Sequence, residues 1–542
     1  MQRLWRLWLA PVIYITVLFY LPLSKIISLG LSASWLSIIA QPETLSAIWF
    51  TLWQAALSTL ICLLIGIPGA YVLYRKKFRG QKFLRALITI PLVLPTIVTA
   101  IIFASFRAEH AIYSQLGLNF FYENSIYWII AAHVFVNYSL VVRTVGGVWA
   151  TMDNETEEAA ALAGAGRFRT FISISLPQLK PAIVSASALT FLFCVASFGI
   201  ILVLGGGLVH SIETEIAKSA LLFLDLPKAS ALALLQTAIT VIAFLVSEAI
   251  AKHPVAIEQV DDNAHKPAID KRDWFAVGIT GFVIVTLISI PILVVLVKAF
   301  TVDGGFGFDN FANLTGQGER ALLNISVWQA TLNTLRNVGI SATLSVGLGA
   351  LVSYLLSRSY RRRRVKISNR ILDVMFLLPV GISSVVLGFG YLVTFYGGLL
   401  PIKVSWLMVP LVQSLMAMPL VIRLIYPALI SIGAEHREAA SLAGANSRQT
   451  WWYIESGIIR NVILTAIGFA FIASIGEYGA ASLLAFGDQA TLPTVLYSLI
   501  SRPGGANFGM AMAVSAILIA LTFILVFAVS ARRPLRRRRV AL

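Results

Sequence analysis

Charged and reactive side chains are scarce in this chain. Of its 542 residues only 12% are charged, whereas a soluble domain carries roughly 25%. The two cysteines, Cys62 and Cys194, lie in apolar stretches and have the spacing of neither a metal site nor a disulfide framework. The six histidines are scattered, and no pair of them has metal-ligand spacing. This composition excludes a soluble globular fold and predicts no metal site.

The sequence also lacks the phosphate-binding loop of ATPases. It contains no Gly-x-x-x-x-Gly-Lys-Ser/Thr segment and no Gly-Lys dipeptide, so the chain has no loop of this kind to hold the phosphates of ATP. A membrane enzyme would need clustered His, Asp or Cys side chains at the membrane face, and the sequence shows no such cluster. We therefore expect no enzymatic activity and no cofactor.

Apolar residues make up most of the chain. They account for 58% of it, and the mean hydropathy is +0.83. Apolar runs of about 18 residues or more are candidate spanning helices, so we expect an all-α polytopic membrane protein with about twelve transmembrane helices in two homologous six-helix halves. The expected spans lie near residues 9–33, 48–74, 84–106, 126–150, 181–205 and 229–251, and near residues 274–300, 331–357, 371–396, 404–429, 459–486 and 508–530.

The net charge of +17 is distributed unevenly. Most Lys and Arg residues fall in alternate loops, and the positive-inside rule then places both termini in the cytoplasm. The runs at 361–364 and 536–539 are expected to anchor this topology and to attract anionic lipid of the bilayer. No basic platform interleaved with aromatic residues accompanies them, so we expect no nucleic-acid binding.

A seven-residue segment occurs twice, at 158–164 and, 280 positions later, at 438–444. A period this long is typical of a duplicated membrane domain with parallel topology. The sequence therefore predicts a first domain over 1–252, a polar cytoplasmic linker over 253–273 and a second domain over 274–542.

Each copy of the segment is predicted to form a short cytoplasmic helix between the fourth and fifth spans of its half, in loops at about 151–178 and 431–457. Alanines favour the helix, acids near its start suit the helix dipole, and Gly164 and Gly444 end it. The small side chains allow close approach of a partner protein. The alternative is a helix lying on lipid headgroups, which the small apolar area and the acids disfavour.

The segment Glu-Ala-Ala followed by Gly, and then Phe171 and Leu176-Pro177, resembles the EAA motif of permease subunits of bacterial ATP-binding-cassette importers. The resemblance covers nearly the whole chain, as two fused permease domains of the type I importer fold in the inner membrane. It implies that two copies of a cytoplasmic ATPase receive the helices, and that an extracytoplasmic substrate-binding protein delivers the solute. The residues to which it assigns ATPase coupling are Glu158, Ala159, Ala160, Gly164, Phe171 and Pro177, and Glu438, Ala439, Ala440 and Gly444.

The second copy departs from this motif. Trp451 replaces Phe171, and Ser456-Gly457 replaces Leu176-Pro177. These departures predict that the two ATPase contacts are not equivalent, and that the first copy is the more sensitive to substitution.

Three further segments resemble the thiamine permease branch of this family, which groups with ferric-iron permeases. They are Ala-Ser-Phe-Gly at 196–199, Leu-Gly-Gly-Gly at 204–207 and Ile-Glu-Thr-Glu-Ile at 212–216. The segments at 474–479 and Leu492-Pro493 are common to thiamine, iron and oxyanion permeases. The resemblance favours thiamine or its phosphates as the substrate, with ferric iron as the alternative.

Glu477 is the most informative charge within an expected span. A carboxylate there must face a cavity or a partner, so it either lines the path of a cationic solute or forms a structural hydrogen bond. Its repeat mate is Ser197. The candidate pathway residues are Ser197, Phe198, Glu477 and Tyr478.

A secondary transporter driven by an ion gradient is the alternative from a different class. Such a transporter would need sites for coupling ions within the membrane, and it would have no repeated cytoplasmic helix. The two matched copies at 158–164 and 438–444 therefore disfavour it.

Overall fold

The structure is a computed structural model that describes residues 2–31, 35–107, 124–250, 267–302, 305–359, 375–396, 405–432, 434–502 and 504–530. Most of the expected linker, residues 253–266, lies outside the described residues. So do the basic runs at 361–364 and 536–539.

Helices form nearly all of the described chain, because a backbone in hydrocarbon must satisfy its hydrogen bonds internally. The first half contains α1 (Gln2–Ile15), α2 (Leu21–Gly30), α3 (Trp35–Ile39), α4 (Pro42–Ala70), α5 (Gln81–Leu87), α6 (Ile90–Val93), α7 (Thr96–Arg107), α8 (Ser125–Thr151), α9 (Asn154–Leu162), α10 (Arg167–Thr170), α11 (Leu176–Val195), α12 (Gly199–Leu204), α13 (Ile212–Leu221) and α14 (Leu226–Ile250). The second half contains α15 (Trp274–Phe282), α16 (Ile290–Ala299), α17 (Asp309–Ala312), α18 (Val327–Ser359), α19 (Ser384–Tyr391), α20 (Ser405–Ser431), α21 (Ala434–Leu442), α22 (Ser447–Thr450), α23 (Ser456–Ile475), α24 (Gly479–Leu484), α25 (Leu492–Ser501) and α26 (Gly505–Ser530).

Short π-helical and 3₁₀ segments connect several of these helices. The π-helical segments are Thr16–Tyr20, Tyr71–Arg75, Phe171–Ser175, Val283–Ser289, Leu392–Tyr396 and Trp451–Glu455. The 3₁₀ segments are Lys271–Asp273, Asn313–Thr315, Glu319–Ala321, Leu378–Gly381 and Gly487–Gln489. Two short antiparallel strands, β1 (Thr301–Val302) and β2 (Gly305–Phe306), form a hairpin in the loop after α16.

The duplication is visible in the bounds of the helices. From α8 to α13, every helix and the π-helical segment Phe171–Ser175 has a counterpart whose bounds lie 280 positions later, from α20 to α25. The helix that follows the repeated segment thus begins at Leu176 in one half and at Ser456 in the other. The sequence repeat therefore corresponds to a repeat of backbone structure.

All twelve expected spans contain apolar helices, but four of them are not continuous. Among the described residues, nine helices are long and apolar enough to cross a membrane, or ten if a pair bent by 99° counts as one span. That bent pair interrupts the expected span at 84–106, where Pro95 removes a backbone donor and holds Leu94 in an extended conformation. The spans expected at 181–205, 371–396 and 459–486 are also broken, before α12, α19 and α24.

Each half is built around three helices that pack together, α4 with α8 and α11, and α18 with α20 and α23. A glycine allows close approach of two helices at a matching place in both bundles. A methyl group on Gly66 would lie 2.7 Å from Val141 Cγ1, and one on Gly349 would lie 2.8 Å from Val421 Cγ1. Because small residues let membrane helices approach closely, these matched contacts fix the same packing in both halves.

The first span of each half packs in part against helices of the other half. The N-terminal span α1–α2 packs against α18 and α19, and the hydroxyl of Tyr14 hydrogen-bonds with that of Ser414. In return, α15 packs against α4, and α16 packs against α7, where Lys298 Nζ donates to Ser105 O over 3.2 Å. The two halves are therefore interlocked.

Candidate functional site

The repeated segments form two helices of equal length, α9 and α21, each of nine residues. Gly164 and Gly444 follow them, both with φ of +82°. This left-handed conformation lets Ala165 N donate to Ala160 O over 3.0 Å, and Ala445 N donate to Ala440 O over 2.9 Å. The two glycines therefore end their helices in the same way.

The two helices present small and apolar side chains to the outside. Glu158 and Ala159 are exposed in the first copy, and Glu438 and Ala439 are exposed in the second. The leucine that ends each helix, Leu162 or Leu442, is 91% exposed. Bulky apolar side chains exposed at matching points of a repeat are typical of a protein-binding surface.

Glu157, next to the motif glutamate, anchors the first helix to its own half. Its carboxylate accepts a hydrogen bond from Arg75 Nη2 at 3.1 Å and one from Ser175 Oγ at 2.8 Å. Arg75 also donates to Met152 O over 2.6 Å. At the positions of Glu157 and Ser175 the second copy has Arg437 and Glu455, and Glu455 is buried. The acidic residue thus belongs to the helix of the repeated segment in the first copy and to the π-helical segment after it in the second.

The replacement of Phe171 by Trp451 is matched by a second replacement nearby. Phe171 stacks on Trp149, with ring centroids 5.9 Å apart. At the position of Trp149 the second half has Leu429, and Trp451 packs against Tyr354, with centroids 5.5 Å apart. The tryptophan therefore lies on α8 in the first half and on the π-helical segment in the second, and the segments after both copies have matching bounds. Pro177 is exposed at the start of α11, and the π-helical turn also forms before Gly457 in its place.

The four helix breaks meet in the interior of the molecule. A methyl group on Gly199 would lie 3.0 Å from Thr96 Oγ1, and one on Gly476 would lie 3.2 Å from Pro95 Cα. In addition, α7 packs against α12, and α19 packs against α24. We call the four breaks together the helix-break junction; they lie at Pro95-Thr96, Ser197-Phe198, Ser383-Ser384 and Glu477-Tyr478.

All four candidate pathway residues lie at this junction, and all are buried. The rings of Phe198 and Tyr478 stack across it, 5.5 Å apart and inclined by 21°. Because these residues come from equivalent breaks of the two halves, their stack joins the halves. In this conformation the junction is closed.

Glu477 binds the start of the short helix α24. Its two carboxylate oxygens accept hydrogen bonds from Ala480 N at 2.8 Å and from Ala481 N at 3.3 Å, and Ser384 bonds to it as well. Ser197, at the equivalent place, has a buried hydroxyl with no partner among the described residues. The observed contacts of Glu477 are those of the structural alternative.

A second carboxylate, that of Glu213, reaches the same junction. Its side chain is 1% exposed, accepts a hydrogen bond from Gln236 Nε2 at 3.2 Å and bonds to Ser383. Glu213 and Glu477 therefore bind adjacent serines at one break of the second half. In the sequence, Glu213 belongs to the segment 212–216 that resembles the thiamine permeases. Its position at the junction was not predicted, because nothing local in the sequence places α13 against α19.

Sequence reasoning also missed the anchor formed by Arg75 and Glu157. The two residues are 82 positions apart and follow no helical spacing. Within the described part of the chain, no group of three or more His, Cys, Asp or Glu residues is placed to hold a metal ion.

Comparison with known proteins gives a family match in both halves. The family described as "Binding-protein-dependent transport system inner membrane component" matches residues 62–254 and 345–540, together more than half of the chain.

Similar individual proteins include two permeases named for thiamine. The thiamine transport system permease protein ThiP of Escherichia coli (strain K12) is 26% identical over 547 residues, covering 97% of each chain. ThiP of Brucella abortus (strain 2308) is 28% identical over 499 residues, covering 89% of this chain and 88% of its own. The sulfate transport system permease protein CysT of Escherichia coli (strain K12) is 31% identical over 231 residues, covering 41% of this chain and 82% of its own.

Proposed function

Because the chain belongs to the family of binding-protein-dependent transport system inner membrane components, we propose that it is the permease of a thiamine importer. Membership makes it a multi-pass inner-membrane subunit of an ATP-binding-cassette importer, a transport component and not an enzyme.

The choice of thiamine is carried by one observation. The relatives named for thiamine match both halves and nearly the full length of this chain, whereas the sulfate permease matches less than half of it. The three segments at 196–199, 204–207 and 212–216 support the same choice. Ferric iron, the alternative solute, is supported only by the resemblance of the sequence to the branch that groups thiamine and ferric-iron permeases.

Two copies of a cytoplasmic ATPase dock on α9 and α21. The exposed Leu162 and Leu442, the small side chains and the identical ends of the two helices support this proposal, because each subunit of an ATPase pair needs a surface on one half of the permease. Both termini and the two docking helices then lie in the cytoplasm. The loop at 301–324 faces the binding protein outside.

Transport proceeds by alternating access across the helix-break junction. When ATP brings the two ATPase subunits together, α9 and α21 move with them, and the halves separate at the stack of Phe198 on Tyr478. A cation leaving water needs negative charge along its path, and Glu213 supplies a carboxylate at the junction, whereas the carboxylate of Glu477 is taken up by hydrogen bonds to the start of α24. A thiazolium cation fits this arrangement.

Uptake of labelled thiamine tests the proposal. We expect wild-type protein, produced with its ATPase and binding protein, to restore thiamine uptake in cells that have no other route. Uptake of ferric iron and of sulfate is measured in matched transport mutants. Restored uptake of either ion without thiamine uptake would refute the assignment.

A further inference from the structure

The last residues of the linker, 267–273, lie against the first half of the molecule. We call them the strap. Asp273, which immediately precedes α15, has a side chain only 1% exposed. Its carboxylate binds Lys76 Nζ at 2.8 Å, the hydroxyl of Tyr71 at 3.0 Å and Arg167 Nη1 at 3.0 Å. One acid at the entrance to the second half thus holds three side chains of the first half.

Backbone and side-chain contacts continue this attachment along the strap. Lys77 N donates to Pro267 O over 3.0 Å, and Lys77 pairs with Ala268 as in a parallel sheet. Asp270 lies 3.5 Å from Arg167 Nη2, and its own backbone N–H donates to the Asp273 carboxylate over 2.8 Å. The strap is therefore bound at both of its ends.

The ion pair between Lys76 and Asp273 is nearly buried, with side-chain exposures of 5% and 1%. Burial lowers the pKa of the Lys76 ammonium, but its hydrogen bonds with Asp273 and Tyr71 raise it by more, so the net pKa lies above its ordinary value. Lys76 is thus charged at neutral pH. Because a buried charge left without its partner is strongly destabilising, the two residues must move together.

The third contact of Asp273 reaches the loop at about 151–178, which carries α9 and which we call the first coupling loop. Arg167 begins α10, five residues after the end of α9. In the second half Ser447 occupies the position of Arg167, and a serine cannot form an ion pair. Among the residues that the structure describes, the attachment involves the first copy.

We propose that the strap transmits displacement of the first coupling loop to the first span of the second half. Arg167 connects the loop to Asp273, and Asp273 leads directly into α15, which packs against α4 of the first half. A push on α9 by the ATPase thereby reaches the first span of the second half through Arg167 and Asp273. This inference rests on the proposed ATPase contact.

The first test measures solute uptake per ATP hydrolysed by the complete transporter in proteoliposomes. Asp273→Asn removes the shared charge and should lower this ratio roughly threefold or more, as expected for a residue in a coupling network. Lys271→Gln, the matched control, removes an exposed charge of the strap, and should leave the ratio unchanged. A normal ratio in Asp273→Asn protein that retains its ATPase would overturn the proposal.

Arg167→Ala covers the case in which Asp273→Asn protein does not fold. Arg167 is half exposed, so its removal leaves the buried pair intact and breaks only the connection to the loop. The uptake per ATP should again fall, with ATPase retained. A merely structural strap would lower the amount of protein and leave the ratio unchanged.

The second test examines the attachment of the strap by cross-linking, a readout that does not depend on where the ATPase docks. With Cys62 and Cys194 replaced by alanine, cysteines at positions 77 and 268 should form a disulfide on oxidation, because paired strand residues lie within disulfide range. The cross-linked transporter should retain its uptake. Absence of the disulfide, or uptake blocked by it, would contradict a strap that moves with the first half.

The two proposals can fail separately. Wild-type protein that carries no thiamine, or binds no ATPase, counts against the proposed function. The disulfide between positions 77 and 268 reports on the strap in either case.

Discussion

Glu477 shows how a single carboxylate is accommodated in the apolar interior. Removing a charge from water is costly unless hydrogen bonds replace the lost solvent. Ala480 N, Ala481 N and Ser384 donate to Glu477, and the start of α24 adds the positive end of a helix dipole. The sequence identified Glu477 as unusual, but the partner from α19 lies almost a hundred positions away and left no local signal.

Replacing Glu477 by glutamine tests which of its two roles dominates. Each hydrogen bond to a charged group contributes about 1.5–3 kcal/mol, so we expect Glu477→Gln to lower the free energy of unfolding by about 1–3 kcal/mol. Uptake per folded molecule should stay near the wild-type value. Thermal unfolding in detergent and uptake normalised to abundance are the measurements.

Ser197→Ala is the matched variant for this stability comparison. Its hydroxyl has no partner among the described residues, so its removal should change thermal unfolding little. If Glu477→Gln protein unfolded normally but had lost uptake, the carboxylate would instead act directly on the solute.

At the scale of elements, the ends of α9 and α21 depend on two glycines. The sequence predicted that Gly164 and Gly444 end the helices and allow close approach of the ATPase. The structure supports the first of these roles, because both have φ of +82° and a methyl group on either would meet no atom within 4 Å. Conformation, rather than space within the chain, requires glycine there.

Valine at either position should therefore deform the end of its coupling helix. We expect Gly164→Val and Gly444→Val to cost about 1–2 kcal/mol locally and to reduce both ATPase co-purification and uptake. The first copy should be the more sensitive, because Arg167 connects only this loop to the strap.

Asparagine is the control for the glycine variants, because it tolerates the left-handed conformation. Gly164→Asn and Gly444→Asn should keep most of the ATPase and most of the uptake. Equal losses with asparagine and valine would show that the side chain itself, and not the backbone angle, blocks docking.

The sequence predicted which elements exist better than where they break. Apolar length identified all twelve helical segments, and the motif at 158–164 predicted α9 and its end at Gly164. The breaks at Ser197 and Glu477 were missed, because an average over an apolar run does not report a single interrupted hydrogen bond. Pro95 was a visible signal for the third break, since proline lacks the donor.

At the scale of the whole molecule, the orientation in the membrane is open to a direct test. Basic residues in alternate loops predict α9 inside and the loop at 301–324 outside. The test labels single cysteines on each side of the membrane. Asn310, in the middle of the loop at 301–324, is unsuitable because it is buried and donates to Ala299 O and Thr301 O, so a cysteine there would disturb the loop. Glu155 and Thr315 are exposed and suit the experiment better.

Single cysteines at Glu155 and Thr315, with Cys62 and Cys194 replaced by alanine, should differ in labelling by an impermeant thiol reagent. In intact cells we expect labelling at position 315 and none at position 155. After permeabilisation both should react. Labelling at position 155 alone in intact cells would show that the protein has the opposite orientation.

The arrangement of the halves could not be read from the sequence. The repeat predicted two copies and their linker, but not that the first span of each copy packs on the other. Exchange of this kind depends on contacts such as that of Lys298 with Ser105, whose positions in the chain carry no common pattern. Periodicity reports the faces of a helix and not its neighbours.

Because the first spans interlock, part of the packing of the N-terminal span depends on residues that are synthesised much later. Tyr14 and its partner Ser414 are 400 positions apart, so at about 5–20 residues per second the ribosome needs roughly 20–80 s to supply the second residue after the first. During that interval the N-terminal span can pack against α14 of its own half, but it lacks the surface that α18 and α19 supply. The packing of the first half is therefore completed only after the second half has been made.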